Sequence, residues 1–483
     1  MLKMQQDLSK TFLAMLALPA TALGFALSVQ ISALSWILTT QYGLAIHDIG
    51  LVWAAGPIAG IFGQVIIGAL SDRVWLWNGR RRPFMLIGGT IAALMLLALP
   101  NIGVISSALG FEGILGVALV VVLSLDFAIN VGFNPTRSII ADVTPDGLDR
   151  TRGYTWMQTV SGTFGVGAYA IGAIWGNYVL IYVSVVLVLL FSIIPPLFIE
   201  EPRTLESEEE AQSASKTSML GVLKNIQPLW GFLAYDIYAM SLRIAGIEHD
   251  HWYAEIVCGI LTIALVAKAL LAREQANDQA ANHLIGFRQV LAAHSFSWIG
   301  IHTTFVFLFV YLNSIMSGVD VIQIGKITSM SFLILNAVGA ALPVLVLEPL
   351  TEKIGRVRTH TTCLAIMAAG YVGLYFFGAT TMGLYVLMAV IGVGWASIIS
   401  LPFAIISQKA DKAEMGLFMG LFNLSVVLPQ LVVSLGISLA ASRADDLRII
   451  FVISAVALAL STVSWMRVRE DKDSMRGETT PAD

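Results

Sequence analysis

Apolar positions run along this chain in blocks of about twenty residues, the length at which a helix spans the hydrocarbon core of a bilayer. Six such blocks fall near residues 14–40, 49–70, 84–105, 113–140, 154–175 and 177–199. An acidic run, EEPRTLESEEEAQSASKTS, follows and reads as a solvated loop. Six more blocks fall near 293–316, 323–347, 360–378, 381–406, 415–439 and 447–466. Between the two sets lie two further apolar stretches, near 226–246 and 254–272. Lys216 and Lys224 before them and Arg273 and Arg288 after them put both ends of the 219–273 region on one side, so it crosses twice or not at all. The connecting IEHDHWY lacks Lys and Arg, which favours two crossings. Asp236 and Arg243 in the first stretch speak for an amphipathic hairpin on the inner surface instead. The pattern therefore predicts an all-α polytopic membrane protein of fourteen spans, with twelve as the alternative.

Charge adds the orientation. The connections after the second, fourth, eighth and tenth of the twelve main spans, with the tail, carry Arg73, Arg80, Arg81, Arg82, Arg150, Arg152, Lys353, Arg356, Arg358, Lys409, Lys412, Arg467 and Arg469. The positive-inside rule places them, and hence both termini, in the cytoplasm. The connections near 41–48, 101–112 and 376–380 contain no Lys or Arg, whereas the last outer loop, with Arg443 and Arg448, is an exception. The expected division is an N-terminal six-helix half at 1–203, an acidic cytoplasmic linker at 204–218, an inserted hairpin and linker at 219–287, a C-terminal six-helix half at 288–469 and a tail at 470–483.

Composition narrows the chemistry. The 483 residues are 57% hydrophobic and 12% charged, with a net charge of −4, which disfavours a nucleic-acid partner. Cys258 and Cys363 sit in apolar stretches and give neither a disulfide framework nor a metal spacing. No nucleophile, metal or phosphate constellation marks an enzyme, and no cofactor beyond a coupling proton is expected. The first apolar block lacks a cleavage site of small residues and reads as the first span, not a signal peptide.

One span breaks the apolar rule. VVVLSLDFAINVGFNPTRSIIADV, residues 120–143, puts Asp126 and Arg137 inside a membrane helix. Each charge at mid-membrane costs about 2.5–3.5 kcal/mol on insertion scales, so such groups face a bundle interior or wet cavity and are paired or functional. Eleven residues at roughly 100° each return Arg137 to nearly the face of Asp126, about 16 Å along the axis, and Asn130 shares that face one turn on. The two charges are too far apart to bond on a straight helix. Each needs another partner, either a substrate or, as a structural ion pair, a group on a neighbouring helix.

A second motif lies after the second span. GALSDRVWLWNGRRRPF, residues 68–84, ends a helix on an acid and follows it with a basic cluster, which suits a cytoplasmic gate built from Asp72, Arg73, Arg80, Arg81 and Arg82. EPLTEKIGRVR echoes it in the second half with Glu352 and Arg356. The arginines set topology in any case.

Six and six spans around a polar linker resemble the major facilitator layout, whose halves are repeats with a binding site between them. The loop at 68–84 resembles that family's signature loop, closest to the sucrose/proton symporters, and LDFAINVGFNPTR resembles their pattern of Asp, Asn four later, Pro and Arg. GLVWAAGPIAGIFGQVIIG, LILNAVG, WASIISLPFAI and GLFNLSVVLPQLVVS extend the likeness over about 1–200 and 288–470. The 219–273 region departs from the plant pattern. The resemblance implies a proton-coupled sugar symporter, with Asp126 as proton acceptor, Asn130 beside it and Arg137 as a sugar-hydroxyl ligand. Burial penalises a bare carboxylate, so an acid whose cavity alternates sides can load and release a proton. The planar fork of arginine donors suits paired hydroxyls.

Sugars also need flat apolar platforms and amides. Phe133, Trp156, Trp298 and Trp395 offer platforms, and Gln30, Gln158, Asn336, Asn423 and Gln430 amides, although each also fits packing or interfacial anchoring. His294 and His302 read as hydrogen-bonded packing residues. Gly56, Pro57, Gly132, Pro135, Pro402 and Pro429 read as close-packing and kink sites. The expected cargo is an α-glucoside such as sucrose or maltose, carried by a monomer in an inner membrane. The alternatives are a carrier of the same fold exporting a glycoside or drug, or a non-transporting assembly or sensor protein.

Overall fold

The computed structural model describes residues 3–61, 74–110, 113–145, 148–202, 223–247, 251–273, 279–409 and 415–469. Over the described residues the apolar blocks are helices; 62–70 of the second block lie outside them. The first set forms α1 (Lys10–Thr40), α2 (Ile46–Ile61), α3 (Arg82–Leu109), α4 (Ile114–Val143), α5 (Leu148–Trp175) and α6 (Asn177–Phe198). The 219–273 region contributes α7 (Trp230–Ala245) and α8 (Tyr253–Leu270). The second set is α9 (Gln279–Ile315), α10 (Val321–Leu342), α11 (Arg356–Phe377), α12 (Thr381–Ile398), α13 (Met415–Val432) and α14 (Ile449–Trp465). Ten of the described helices are long and apolar enough to cross a membrane. Of the extra pair, α8 is among them and the shorter α7, which carries Asp236, is not.

Local chemistry sets several boundaries. Ser9 caps α1 by accepting from the Phe12 amide at 3.2 Å, and Thr380 does the same for Gly383 ahead of α12. At Gly176, φ is 92°, a value that lets the chain reverse between α5 and α6 at no steric cost.

The chain forms two compact units, and they do not follow chain order. Unit 1 comprises Met1–Ser213 with Phe305–Leu333 and Ser438–Arg443. Within it α1 packs on α5 and α6, and α3 on α4 and α6. Phe12, Leu16, Met85, Ile139, Ile140 and Ile199 form an apolar cluster. Lipid tails are as apolar as leucine, so cohesion between membrane helices comes from close packing and internal hydrogen bonds. Both devices are present. A Cβ at Gly89 of α3 would fall on the Ser192 side chain of α6. The variant Gly89→Val is therefore expected to lower the melting temperature through overpacking worth about 1–3 kcal/mol, read by thermal unfolding in detergent; an unchanged Tm would mean that α3 and α6 lie farther apart.

The hydrogen bonds gather on α1. Ser32 Oγ and Ser329 Oγ lie 2.6 Å apart, and Ser329 donates to Asn177 Oδ1 at 2.9 Å. Ser35 donates to the Val306 carbonyl at 2.7 Å, and the Trp36 indole to the Val321 carbonyl at 3.1 Å. These bonds fasten the 305–333 segment to the first-half helices inside unit 1.

Unit 2 comprises Ala214–Thr304, Ile334–Ile437 and Ala444–Asp483. Here α11 packs on α12 and α14, and α7 on α8 and α13. Small hydroxyls again join helices: Ser461 donates to the Ala293 carbonyl at 2.7 Å and Ser454 to the Gly300 carbonyl at 2.8 Å, tying α14 to α9. The helix that begins as α13 continues through a π turn at Val433–Ile437, where Gly436 accommodates the Tyr235 hydroxyl of α7. Of the two cations in the loop before α14, Arg448 is locally neutralised. Arg448 donates to Asp446 Oδ2 at 2.7 Å, lies 5.0 Å over the Tyr375 ring, and holds the Asp446 carboxyl below the usual carboxylate range.

Candidate functional site

In unit 1 the site is organised by α4. Asp126 is 4% exposed, and its Oδ1 accepts from the Gln30 side chain of α1 at 2.8 Å. Its Oδ2 is buried with no hydrogen-bond partner among the described residues. Gly56 of α2 lies against the carboxyl group, where even a Cβ would stand 3.4 Å from Oδ2. The acid is thus held by one amide, with its second oxygen left for a proton or a hydroxyl donor. Asn130 is buried on the same face, but its amide donates to the Asp126 backbone carbonyl at 2.8 Å, a bond within its own helix.

Arg137 is not paired with Asp126 or with any described acid. Its guanidinium lies 5.2 Å over the half-buried Phe133 ring, and no described protein group takes a hydrogen bond from it. Tyr154 of α5 donates to the Arg137 backbone carbonyl at 3.2 Å, which fixes the main chain and leaves the side chain. A structural ion pair requires an acid beside Arg137, and the described residues supply none. Of the other candidates on this side, Gln30 belongs to the carboxyl site itself. Trp156 is half-buried and packs against the Phe12–Ile199 cluster, and Gln158 is exposed on α5.

The gate motif is held by residues that its own stretch does not contain. Glu201 accepts from the backbone amides of Arg80 at 2.6 Å, Arg81 at 2.7 Å and Arg82 at 2.8 Å, capping the start of α3. Arg81 is buried and pairs through Nε with Asp142 of α4 at 2.9 Å. Arg82, also buried, donates to the carbonyls of Trp77 and Ile199. Asp72 and Arg73 lie outside the described residues. Glu201 stands in the acidic run read as a solvated loop, which is corrected at its first two residues: Glu200 exchanges bonds with Gln5 and Glu201 closes the basic loop. The sequence signal was an acid immediately after α6, masked by the acids that follow. In the second-half echo Glu352 is exposed and Arg356 half-buried, and no described residue encloses Glu352 as Glu201 encloses the first loop.

Glu201→Gln is expected to cost about 1–2 kcal/mol, because an amide cannot accept from all three N–H groups as a carboxylate does. Thermal unfolding checks this, and an unchanged Tm would remove Glu201 from the cap.

In unit 2 the candidate aromatics meet one another. Trp298 of α9 and Trp395 of α12 stand edge to face with centroids 6.1 Å apart. Trp395 donates to Asn336 Oδ1 of α10 at 3.2 Å, and Trp298 donates to His294 Nε2 at 2.9 Å. Both indoles are half-buried, so each offers part of a face. Asn423 is half-buried on α13 with no described partner, next to Phe422, on which His294 stacks at 4.8 Å. Among the described residues no three His, Cys, Asp or Glu side chains gather as metal ligands.

The sucrose transport protein SUC4 of Arabidopsis thaliana is 22% identical over 478 residues, covering 89% of this chain and 84% of the relative. The general alpha-glucoside permease of Schizosaccharomyces pombe is 32% identical over 178 residues, 34% of this chain and 31% of the permease. The crystal structure of the POT family transporter PepTSo superposes with a TM-score of 0.65 at 14% identity, over 97% of this chain and 99% of that one, a likeness of fold. The Major Facilitator Superfamily model matches residues 16–434, most of a multi-pass, all-helical chain, which therefore belongs to that superfamily of membrane transporters.

Proposed function

We propose that the chain is a proton-coupled symporter of a sugar, an α-glucoside such as sucrose or maltose, working by alternating access. The observation that carries this reading is the pair of charges on α4, a buried Asp126 and an exposed Arg137. A buried carboxyl with one oxygen unclaimed and a guanidinium with no acceptor among the described residues occur on one helix, as a proton site and a hydroxyl ligand require. The names of the similar proteins, a sucrose transport protein and an alpha-glucoside permease, support the cargo class. In this reading sugar binding and protonation of Asp126 together permit closure, because the loaded site no longer buries a bare charge.

The aromatic group Trp298, Trp395 and Asn336 supplies apolar faces and an amide for the sugar. The protein acts as a monomer in an inner membrane with both termini in the cytoplasm and needs no cofactor beyond the coupling proton. The test is uptake of labelled sucrose and maltose into proteoliposomes with and without an inward proton gradient. Gradient-driven accumulation of either sugar is expected. Failure of both even in counterflow would overturn the sugar reading and point to another cargo.

The extra pair α7–α8 crosses the membrane twice in the same proposal. A cysteine at Tyr253 in a cysteine-free background is expected to react with an impermeant maleimide outside intact cells, and reaction only after permeabilisation would place the pair on the inner surface.

A further inference from the structure

Five helices of unit 2 converge on a buried group that the proton and sugar chemistry leaves unused. His294 of α9 is 1% exposed and His360 of α11 and Trp465 of α14 are fully buried. The Trp465 ring centroid lies 4.5 Å from that of His360 and 6.4 Å from that of His294, close to perpendicular to both, while Phe422 of α13 stacks on the His294 ring. Ser397 of α12 bonds His360 Nδ1 at 2.7 Å. Three polar atoms in this cluster have no partner among the described residues: His294 Nδ1, His360 Nε2 and Trp465 Nε1.

The hydrogen-bond chemistry fixes what each lone atom offers. An indole N–H only donates, so the bond from Trp298 requires a lone pair on His294 Nε2, and the neutral ring carries its proton on Nδ1. Trp465 Nε1 is likewise a donor. His360 Nε2 is an acceptor in the tautomer whose Nδ1–H donates to the Ser397 hydroxyl. Two donors and one acceptor are one hydrogen bond short of the set that satisfies a water molecule. Leaving them bare in an apolar, low-dielectric interior is costly, and buried waters in proteins characteristically make about three hydrogen bonds to such groups.

We propose that His294, His360 and Trp465 form a closed binding site for one water molecule, which accepts from His294 and Trp465 and donates to His360. The water joins α9, α11 and α14. Through His294 it also fixes the ring of Trp298, which makes His294 a positioning residue for the sugar platform. That last step rests on the sugar reading above, whereas the water site does not.

Two substitutions at one position separate the two bonds of His294, because glutamine sets an amide where Nε2 stands and asparagine sets one where Nδ1 stands. His294→Gln keeps an acceptor for Trp298 and is expected to retain sugar affinity; His294→Asn loses it and is expected to weaken sugar affinity about tenfold, the effect of one such bond. Equal affinities in the two variants would overturn the positioning role.

The water site is read by stability. Trp465→Phe removes a donor and keeps a ring. Its effect on Tm is expected to be non-additive with His294→Gln, which has lost the water donor, and additive with His294→Asn, which retains it. Additivity with both overturns the water site. Should a variant fail to fold, the wild-type full chain labelled with 15N-histidine decides: His294 is expected to carry its proton on Nδ1, and a proton on Nε2 overturns the proposal. If the wild-type chain binds neither sugar, the affinity comparison fails together with the sugar reading, while the stability cycle and the tautomer still test the water site.

Discussion

Asp126→Asn is expected to abolish gradient-driven accumulation of sugar while leaving exchange across the membrane intact. Asparagine has nearly the same shape and keeps an oxygen to accept from Gln30, so the contact between α1 and α4 survives. It cannot gain or lose a proton. The site is then permanently in the neutral form that permits closure, and the carrier cycles without being driven. Proteoliposomes loaded with unlabelled sugar should still show counterflow in the variant, at a rate that no longer responds to an imposed pH gradient. Uphill accumulation at the wild-type level would remove Asp126 from coupling.

Arg137→Lys is the second large effect. The guanidinium is a planar fork with parallel donors, whereas an ammonium is a compact point charge that cannot address two hydroxyls in the same way. Charge-assisted hydrogen bonds are worth about 1.5–3 kcal/mol, so loss of one weakens sugar binding roughly tenfold to a hundredfold. Lysine also gives up the stacking over Phe133. No described protein group takes a hydrogen bond from the guanidinium, so the melting temperature should change little. The combination of weakened affinity and unchanged Tm is the signature of a substrate ligand. A wild-type affinity would exclude Arg137 from the site, and a large fall in Tm would make it structural.

The carboxyl of α4 and the basic loop before α3 show how unequally these residues could be read in advance. A bare carboxylate and a guanidinium in an apolar span are visible in one line of sequence, because membrane insertion makes them expensive and so informative. Gln30 was visible only as one amide among several. Nothing in the sequence ties it to a residue ninety-six positions later, and the bond depends on α1 and α4 meeting at that depth. Glu201 was misread for a related reason. It lies in a run of acids that looks uniformly solvated, yet its place at the end of α6 brings it under three amides of the loop before α3. Trp156 was one aromatic among several in the sequence, and its packing against the Phe12–Ile199 cluster depends on α5 facing α1.

The sequence by itself determined the helical membrane architecture, the positions of the spans, the superfamily and the charged face of α4. Bilayer thickness and the cost of burying charge act on each segment separately, so these features are written locally. Only the tertiary structure decided which amide holds Asp126, which acid closes the basic loop, that Arg137 has no acid beside it among the described residues, and that two histidines and a tryptophan from three helices share one buried cluster. Those facts depend on pairs of helices distant in sequence, held at a fixed depth and rotation by small residues and interhelical hydrogen bonds, and no periodicity within one segment encodes them.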